Sequence, residues 1–269
     1  MIYIMAHNRV DFDLYQRDKN FNNKTYQFFL TSGRAKDSQK TNNLIEKIKS
    51  KNFKYISEWS LQNYDERLQK NYWNAVSIIY HSYINKIYRD KTHIGFLEYD
   101  LKFEIDKNVS TDEAISQDFS FTEEVNKKVS SNLGSRFIVL PSVRHKLGYL
   151  DKQHNIRSFG KHWLNFFLED YNKRYLCNHS YQNILRDYSN ILVPTQQSFI
   201  CDIETFEQIG EYVSYFVNTH GITPSSNYQP RASTILERCI GMFILLKILP
   251  EVNSFVFPLI HTHASNGKY

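Results

Sequence analysis

The sequence predicts an α/β domain with a mostly parallel central sheet flanked by helices. Three observations predict it. The chain opens on an apolar run, Ile2–Ala6, that passes directly into His7, Asn8 and Arg9, as the first strand of many nucleotide-binding α/β folds does. Helix-like and strand-like patterns then alternate, the signature of βα units. Finally, the run Ile94-Gly95-Phe96-Leu97, apolar on both faces, ends in Glu98-Tyr99-Asp100. Polar groups at the carboxyl end of a buried parallel strand stand where open α/β sheets bind ligands.

The elements follow in order. Residues 40–51 read as a helix, with Leu44, Ile45 and Ile48 at helical spacing and Lys40, Lys47, Lys49, Lys51 and the nearby Lys54 as a solvated face. Tyr55-Ile56 reads as a short strand. Residues 71–88 carry the strongest helical pattern of the first half, through Trp73, Val76, Tyr80, Tyr83, Ile84 and Ile87. The strand ending in Glu98 and Asp100 comes next. Residues 112–131 are polar and Ser-rich, helical around 121–129, and read as a mobile flap. Residues 136–140 read as a strand stopped by Pro141, and 161–176 as an aromatic-faced helix. Short strands are expected at 190–193 and 198–201. Asp202 has the character of an N-cap for a helix reaching Val217, with Glu204 and Glu207 in its favourable early turns. Residues 231–249 read as a long, strongly apolar helix. A last strand spans 255–260, where Pro258 argues for an edge position, and the polar tail His261-Thr262-His263 follows.

No repeat and no Gly-, Ser- or Pro-rich linker divides the 269 residues, so one domain is expected over 1–269. The net charge of +5 is mild and is not the clustered charge of a dedicated nucleic-acid binder, so no nucleic-acid partner is expected. Cys177, Cys201 and Cys239 are odd in number and lack zinc spacing. They read as reduced thiols of a cytoplasmic protein. The opening apolar run is too short for a signal peptide. The longest apolar run, 240–249, is interrupted by Lys247 and ended by Pro250, too short to cross a bilayer. No transmembrane segment is expected, and attachment to a membrane surface stays open. The sequence has no Gly-rich phosphate loop with Lys-Ser/Thr, no Gly-x-Gly-x-x-Gly, no Gly-x-Ser-x-Gly and no Cys/His finger spacing. Kinase, P-loop ATPase, Rossmann dehydrogenase and serine hydrolase readings therefore lose their signatures.

Three constellations could carry chemistry. In an extended chain Glu98 and Asp100 point to one side. Side-by-side carboxylates repel unless a proton, a cation or a basic group separates them, and a hard divalent metal such as Mg²⁺ or Mn²⁺ is one answer. The alternation continues through Lys102, Glu104 and Asp106, so a solvated amphipathic strand is the other reading. Glu237 forms a narrow stripe with Ser233 and Gly241 in an otherwise apolar helix. A carboxylate there is costly unless paired, with Arg231 or Arg238, or used, as a general base or a holder of a substrate hydroxyl. His261 and His263, two apart beyond a strand, could complete a metal site or touch a phosphate, or could belong to a flexible tail.

The opening strand, the helix before residues 94–100, the acid pair ending that strand and the late helix bearing Glu237-Arg238 together resemble GT-A type glycosyltransferases. The order of features is most similar to small bacterial and viral members acting in surface polysaccharide biosynthesis. The resemblance runs loosely from Met1 to about His263. It implies a GT-A-like, Rossmann-like domain whose residues 1–106 bind a nucleotide-sugar and whose residues 107–269 bind the acceptor. In that family an Asp-x-Asp motif ends a central strand and holds a divalent cation on the donor diphosphate. Glu98-Tyr99-Asp100 matches it with a departure at the first position. The resemblance makes Glu98 and Asp100, with His261 or His263, ligands of Mn²⁺ or Mg²⁺. It makes Glu237 the catalytic base. Ala6, His7, Asn8, Glu98, Tyr99 and Arg231 fall to the donor. The implied activity is hexosyl or pentosyl transfer from a nucleotide-sugar, a UDP-sugar first, to a glycan or other hydroxyl acceptor, with inversion. A non-catalytic carbohydrate-binding protein on a degenerate transferase fold is the alternative, and a metal-dependent nuclease a third.

Overall fold

In a computed structural model the described residues are 1–6, 10, 12, 15, 24–31, 39–70, 74–99, 101–103, 123–142, 147–148, 157–158, 161–189, 197–221 and 232–261. The strands are β1 (Ile2–Ala6), β2 (Tyr26–Leu30), β3 (Tyr55–Ser57), β4 (His93–Glu98), β5 (Leu101–Phe103), β6 (Phe137–Ser142), β7 (Arg157–Ser158), β8 (Lys161–His162), β9 (Phe199–Asp202) and β10 (Asn253–His261). The α-helices are α1 (Gln39–Ser50), α2 (Glu66–Lys70), α3 (Asn74–Ile84), α4 (Glu123–Ser131), α5 (Trp163–Tyr175), α6 (Tyr181–Tyr188), α7 (Ile203–Phe216) and α8 (Ala232–Phe243).

Among the described residues, eight strands form one sheet in the order β3-β2-β1-β4-β9-β6-β10-β5. β9 runs antiparallel to β4 and β6, and β5 antiparallel to β10; the remaining pairs are parallel. The expected mostly parallel sheet flanked by helices is thus present. Its two faces follow from alternation along β1. Ile4 and Ala6 pack with Phe28, Leu30 and the α1 residues Leu44 and Ile48. Tyr3 and Met5 face the larger core built from α3, α5, α7 and α8, with Phe96, Trp163, Phe206 and Leu236.

Local chemistry sets the element ends. Asp202 caps α7 as expected, its Oδ1 accepting from Thr205 N–H at 2.9 Å. The same buried carboxylate accepts from Thr205 Oγ1 at 2.7 Å and from Phe137 N–H at 2.6 Å, so it also ties β9 to β6. His162 caps α5, its Nδ1 accepting from Leu164 N–H at 3.4 Å. α3 stops at Ile84, short of the expected 88, where Lys86 takes a left-handed φ of 54°. Residues 71–73 lie outside the described residues.

Several expectations need correction. β2 has no counterpart in the sequence reading, because strands buried on both faces lack alternation. Pro141 does not stop β6, which continues to Ser142. β9 pairs with β6 only at Ile138 and Val139, so a missing N–H on that side at Pro141 breaks no ladder bond. β10 is not an edge strand, since β5 lies outside it. Pro258 sits at a handover: it is the last residue paired with β6, and pairing with β5 begins at Leu259. The long late helix is α8, continued by a π-helical turn (Ile244–Ile248) and a 3₁₀ turn (Leu249–Glu251). The strand expected at 190–193 and residues 112–122 of the expected flap lie outside the described residues. No described helix is long and apolar enough to cross a membrane. All three cysteines are free thiols.

Candidate active site

The parallel strands β3, β2, β1 and β4 end at one rim, and the site residues that the structure describes gather there. β1 and β4 lie side by side with Met5 opposite Glu98. Ala6, the last residue of β1, is fully buried in the apolar cluster under α1, and its carbonyl accepts from Thr31 N–H at 2.9 Å. Its side chain therefore packs, and only its place at the strand end bears on a ligand. The rim at β2 and β3 is supported by a buried polar network. The Glu58 carboxylate accepts from Ser77 Oγ and from His81 Nδ1, the latter at 3.0 Å. Asp65 N–H donates to His81 Nε2 at 2.9 Å, which assigns the ring proton to Nδ1.

β4 ends at Glu98, and Tyr99 lies in a turn. The expected continuous strand through residues 98–106 is therefore not formed, and strand alternation is not what relates Glu98 to Asp100. Backbone bonds fix the turn instead. Glu98 N–H donates to the buried Ser198 Oγ at 3.1 Å, and the Tyr15 hydroxyl donates to the Tyr99 carbonyl at 3.0 Å. The chain resumes as β5, paired with the end of β10 so that His261 stands opposite Leu101. The sheet thus carries the backbone of His261 to the residue that follows Asp100 in sequence.

Glu237 reaches the same rim from α8. It is half-buried, and its carboxyl is pushed well above the ordinary carboxylate range. Burial is the largest cause, the negative Glu98 adds to it, and Arg238 opposes it. The structure therefore brings Glu98 and Glu237 together. Arg238 itself is buried, with its guanidinium carbon 5.5 Å from the centre of the Trp163 ring. That contact is a cation–π one.

His7, Asn8, Asp100, Arg231 and His263 lie outside the described residues, as does the side chain of His261. Among the described residues no group of three His, Cys, Asp or Glu side chains is placed to hold a metal. Tyr15, Ser198 and Trp163 were not found by the sequence reading. Each sits in an ordinary apolar or aromatic context with no spacing signal, so nothing short of the tertiary contacts picks it out. A separate cleft of ≈ 460 Å³, lined by Tyr83, Lys86, Tyr88, Arg89, Glu204, Glu207 and Glu211 among others, lies at the opposite rim. There the strands begin, with His93 opposite Asp202, so it is not the site built on Glu98.

No protein-family model matches the chain, and no curated protein sequence matches it. Among solved structures it is similar to WbbM, a bifunctional glycosyltransferase in its apo form, with a TM-score of 0.59 at 13% identity. The match covers 97% of this chain and 45% of that one, so this chain spans less than half the length of that structure. At such identity the likeness concerns the fold. It agrees with the mostly parallel sheet whose strands end at a common rim, and the chain therefore carries a GT-A-like glycosyltransferase fold.

Proposed function

We propose that the protein is a glycosyltransferase that moves a sugar from a nucleotide-sugar, a UDP-sugar first, to a hydroxyl of a glycan acceptor with inversion. The observation that carries this reading is the meeting of Glu98, at the carboxyl end of β4, with Glu237 of α8 on a glycosyltransferase-type fold. Two acids from distant segments at the ligand-binding rim supply two roles, one toward the donor and one toward the acceptor.

Glu237 acts as general base. Its raised proton affinity makes its carboxylate a stronger acceptor for the hydroxyl proton. The acceptor oxygen then bonds to the anomeric carbon as the bond from that carbon to the diphosphate oxygen breaks. The electron pair leaves with the nucleoside diphosphate. In this reading Ala6, His7, Asn8, Glu98, Tyr99 and Arg231 would serve the donor, with Arg231 assigned to the departing phosphates.

This reading includes a divalent cation. The negative field that Glu98 places on Glu237 is of the kind a cation relieves, and the β5–β10 register brings the His261 backbone to the segment bearing Asp100. Glu98 and Asp100, with His261 or His263, would hold Mn²⁺ or Mg²⁺, whose oxygen and imidazole preferences match this set. When bound, the cation supplies Lewis-acid neutralisation of the diphosphate.

A screen of UDP-, GDP- and dTDP-sugars by thermal melting, with and without Mn²⁺, tests the reading. A melting rise that grows with ligand concentration and is larger with Mn²⁺ is expected. No shift at millimolar sugar nucleotide would overturn it. Glycan binding without donor turnover, unaffected by replacing Glu237, would assign the chain to non-catalytic carbohydrate recognition instead.

A further inference from the structure

The charge of this protein is concentrated in its first fifth. Residues 7–54 hold eleven Lys and Arg against five Asp and Glu, a net +6, whereas the whole chain is +5. The remainder is close to neutral. Among the described residues of that stretch, six lysines stand against one acid. α1 buries Thr41, Leu44 and Ile48 against the sheet and turns Lys40, Lys47 and Lys49 outward. Lys24 and Lys54 are exposed at the starts of β2 and β3, neighbouring strands joined there by a bond from Phe28 N–H to the Lys54 carbonyl at 3.0 Å. Glu46 is the one acid of α1.

Aromatic rings are interleaved with these cations. Lys49 Nζ lies 5.9 Å from the centre of the Tyr55 ring and Lys51 Nζ 5.7 Å from that of Phe12. Phe53, Tyr55 and Trp59 are half-buried against the apolar cluster under α1. Lysine ammoniums with amphipathic rings between them, on a helix face at the sheet edge, match an anionic bilayer surface. Such surfaces attract clustered lysines and accept half-exposed aromatics at headgroup depth.

We infer that the α1 face, with the adjoining starts of β2 and β3, docks the protein on membranes rich in anionic phospholipid. This interaction is independent of the transfer reaction. α1 follows the carboxyl end of β2 and leads back to the amino end of β3. It therefore spans the sheet from rim to rim, and docking along it leaves the Glu98 rim facing sideways, open to ligand.

The test is co-sedimentation of the full chain with vesicles of phosphatidylcholine alone and of phosphatidylcholine with about one-third phosphatidylglycerol. Binding to the anionic vesicles only, released by raised salt, is expected. The variant K40Q/K47Q/K49Q should bind them roughly a hundredfold more weakly with unchanged melting. The charge-matched K91Q/K127Q/K173Q, at exposed lysines elsewhere, should bind like the parent. Equal binding to neutral vesicles, no binding to anionic ones, equal losses in the two triple variants, or preferential binding of duplex DNA or RNA over vesicles would each overturn the inference.

Discussion

Glu98 ends a central strand and Glu237 lies within a late helix, yet the negative charge of the first raises the proton affinity of the second. Burial acts in the same direction, and Arg238 only partly offsets both. E237Q should leave the melting temperature unchanged or raise it, because the repulsion from Glu98 is removed. The same change should lower transfer by about 10²–10⁴-fold, the usual weight of a general base. Melting and initial-rate measurements on one preparation check both halves.

Asp202 holds three elements with one carboxylate, through Thr205 and through the N–H of Phe137. D202A removes a helix cap and leaves a buried N–H without its acceptor. A loss of about 2–4 kcal/mol in urea unfolding is expected. D202N should recover only part of it, since Oδ2 accepts two of the bonds and an amide can offer acceptor oxygen at one position only.

Gly210 of α7 is set by its neighbour on α3. A Cβ at this position would lie 2.4 Å from Cδ2 of the Tyr83 ring. Alanine favours a helix over glycine by roughly 0.5–1 kcal/mol, while overpacking costs about 1–3 kcal/mol. Packing wins, so G210A should destabilise. A paired substitution, G210A with Y83L, should restore part of the loss, and a double-mutant unfolding cycle measures it.

His93 begins β4 with its pKa lowered to about 4, chiefly by burial and then by the positive N-terminal amine. Its unfolded value is about 6.5. Between these values the unfolded chain binds the proton more readily, so stability rises with pH there. The contribution is complete above about 6.5 and is lost as pH falls toward about 4. H93Q should flatten the melting-versus-pH curve over that window, and thermal scans from pH 4 to 7 show whether it does.

Much of the fold could be read from local pattern. The opening strand, α1, the capped α7, the apolar α8 and the strand ending at Glu98 all lie close to where periodicity and capping chemistry put them. The misreadings have physical causes. β2 is buried on both faces and so shows no alternation. Pro141 and Pro258 stand where one neighbouring strand is absent, and sequence does not reveal a strand's neighbours. The extended run expected through Glu98 and Asp100 is broken by a turn at Tyr99, held by Tyr15 and Ser198 from remote parts of the chain.

By itself, then, the sequence determined which segments could be helix or strand and which acids were out of place in apolar surroundings, because those properties depend on neighbours within a few residues. Only the tertiary structure decided that β9 and β5 run against the other strands and that Glu98 comes within electrostatic reach of Glu237. Those are distances between segments far apart in the chain, set by how buried faces pack, and no local pattern encodes them.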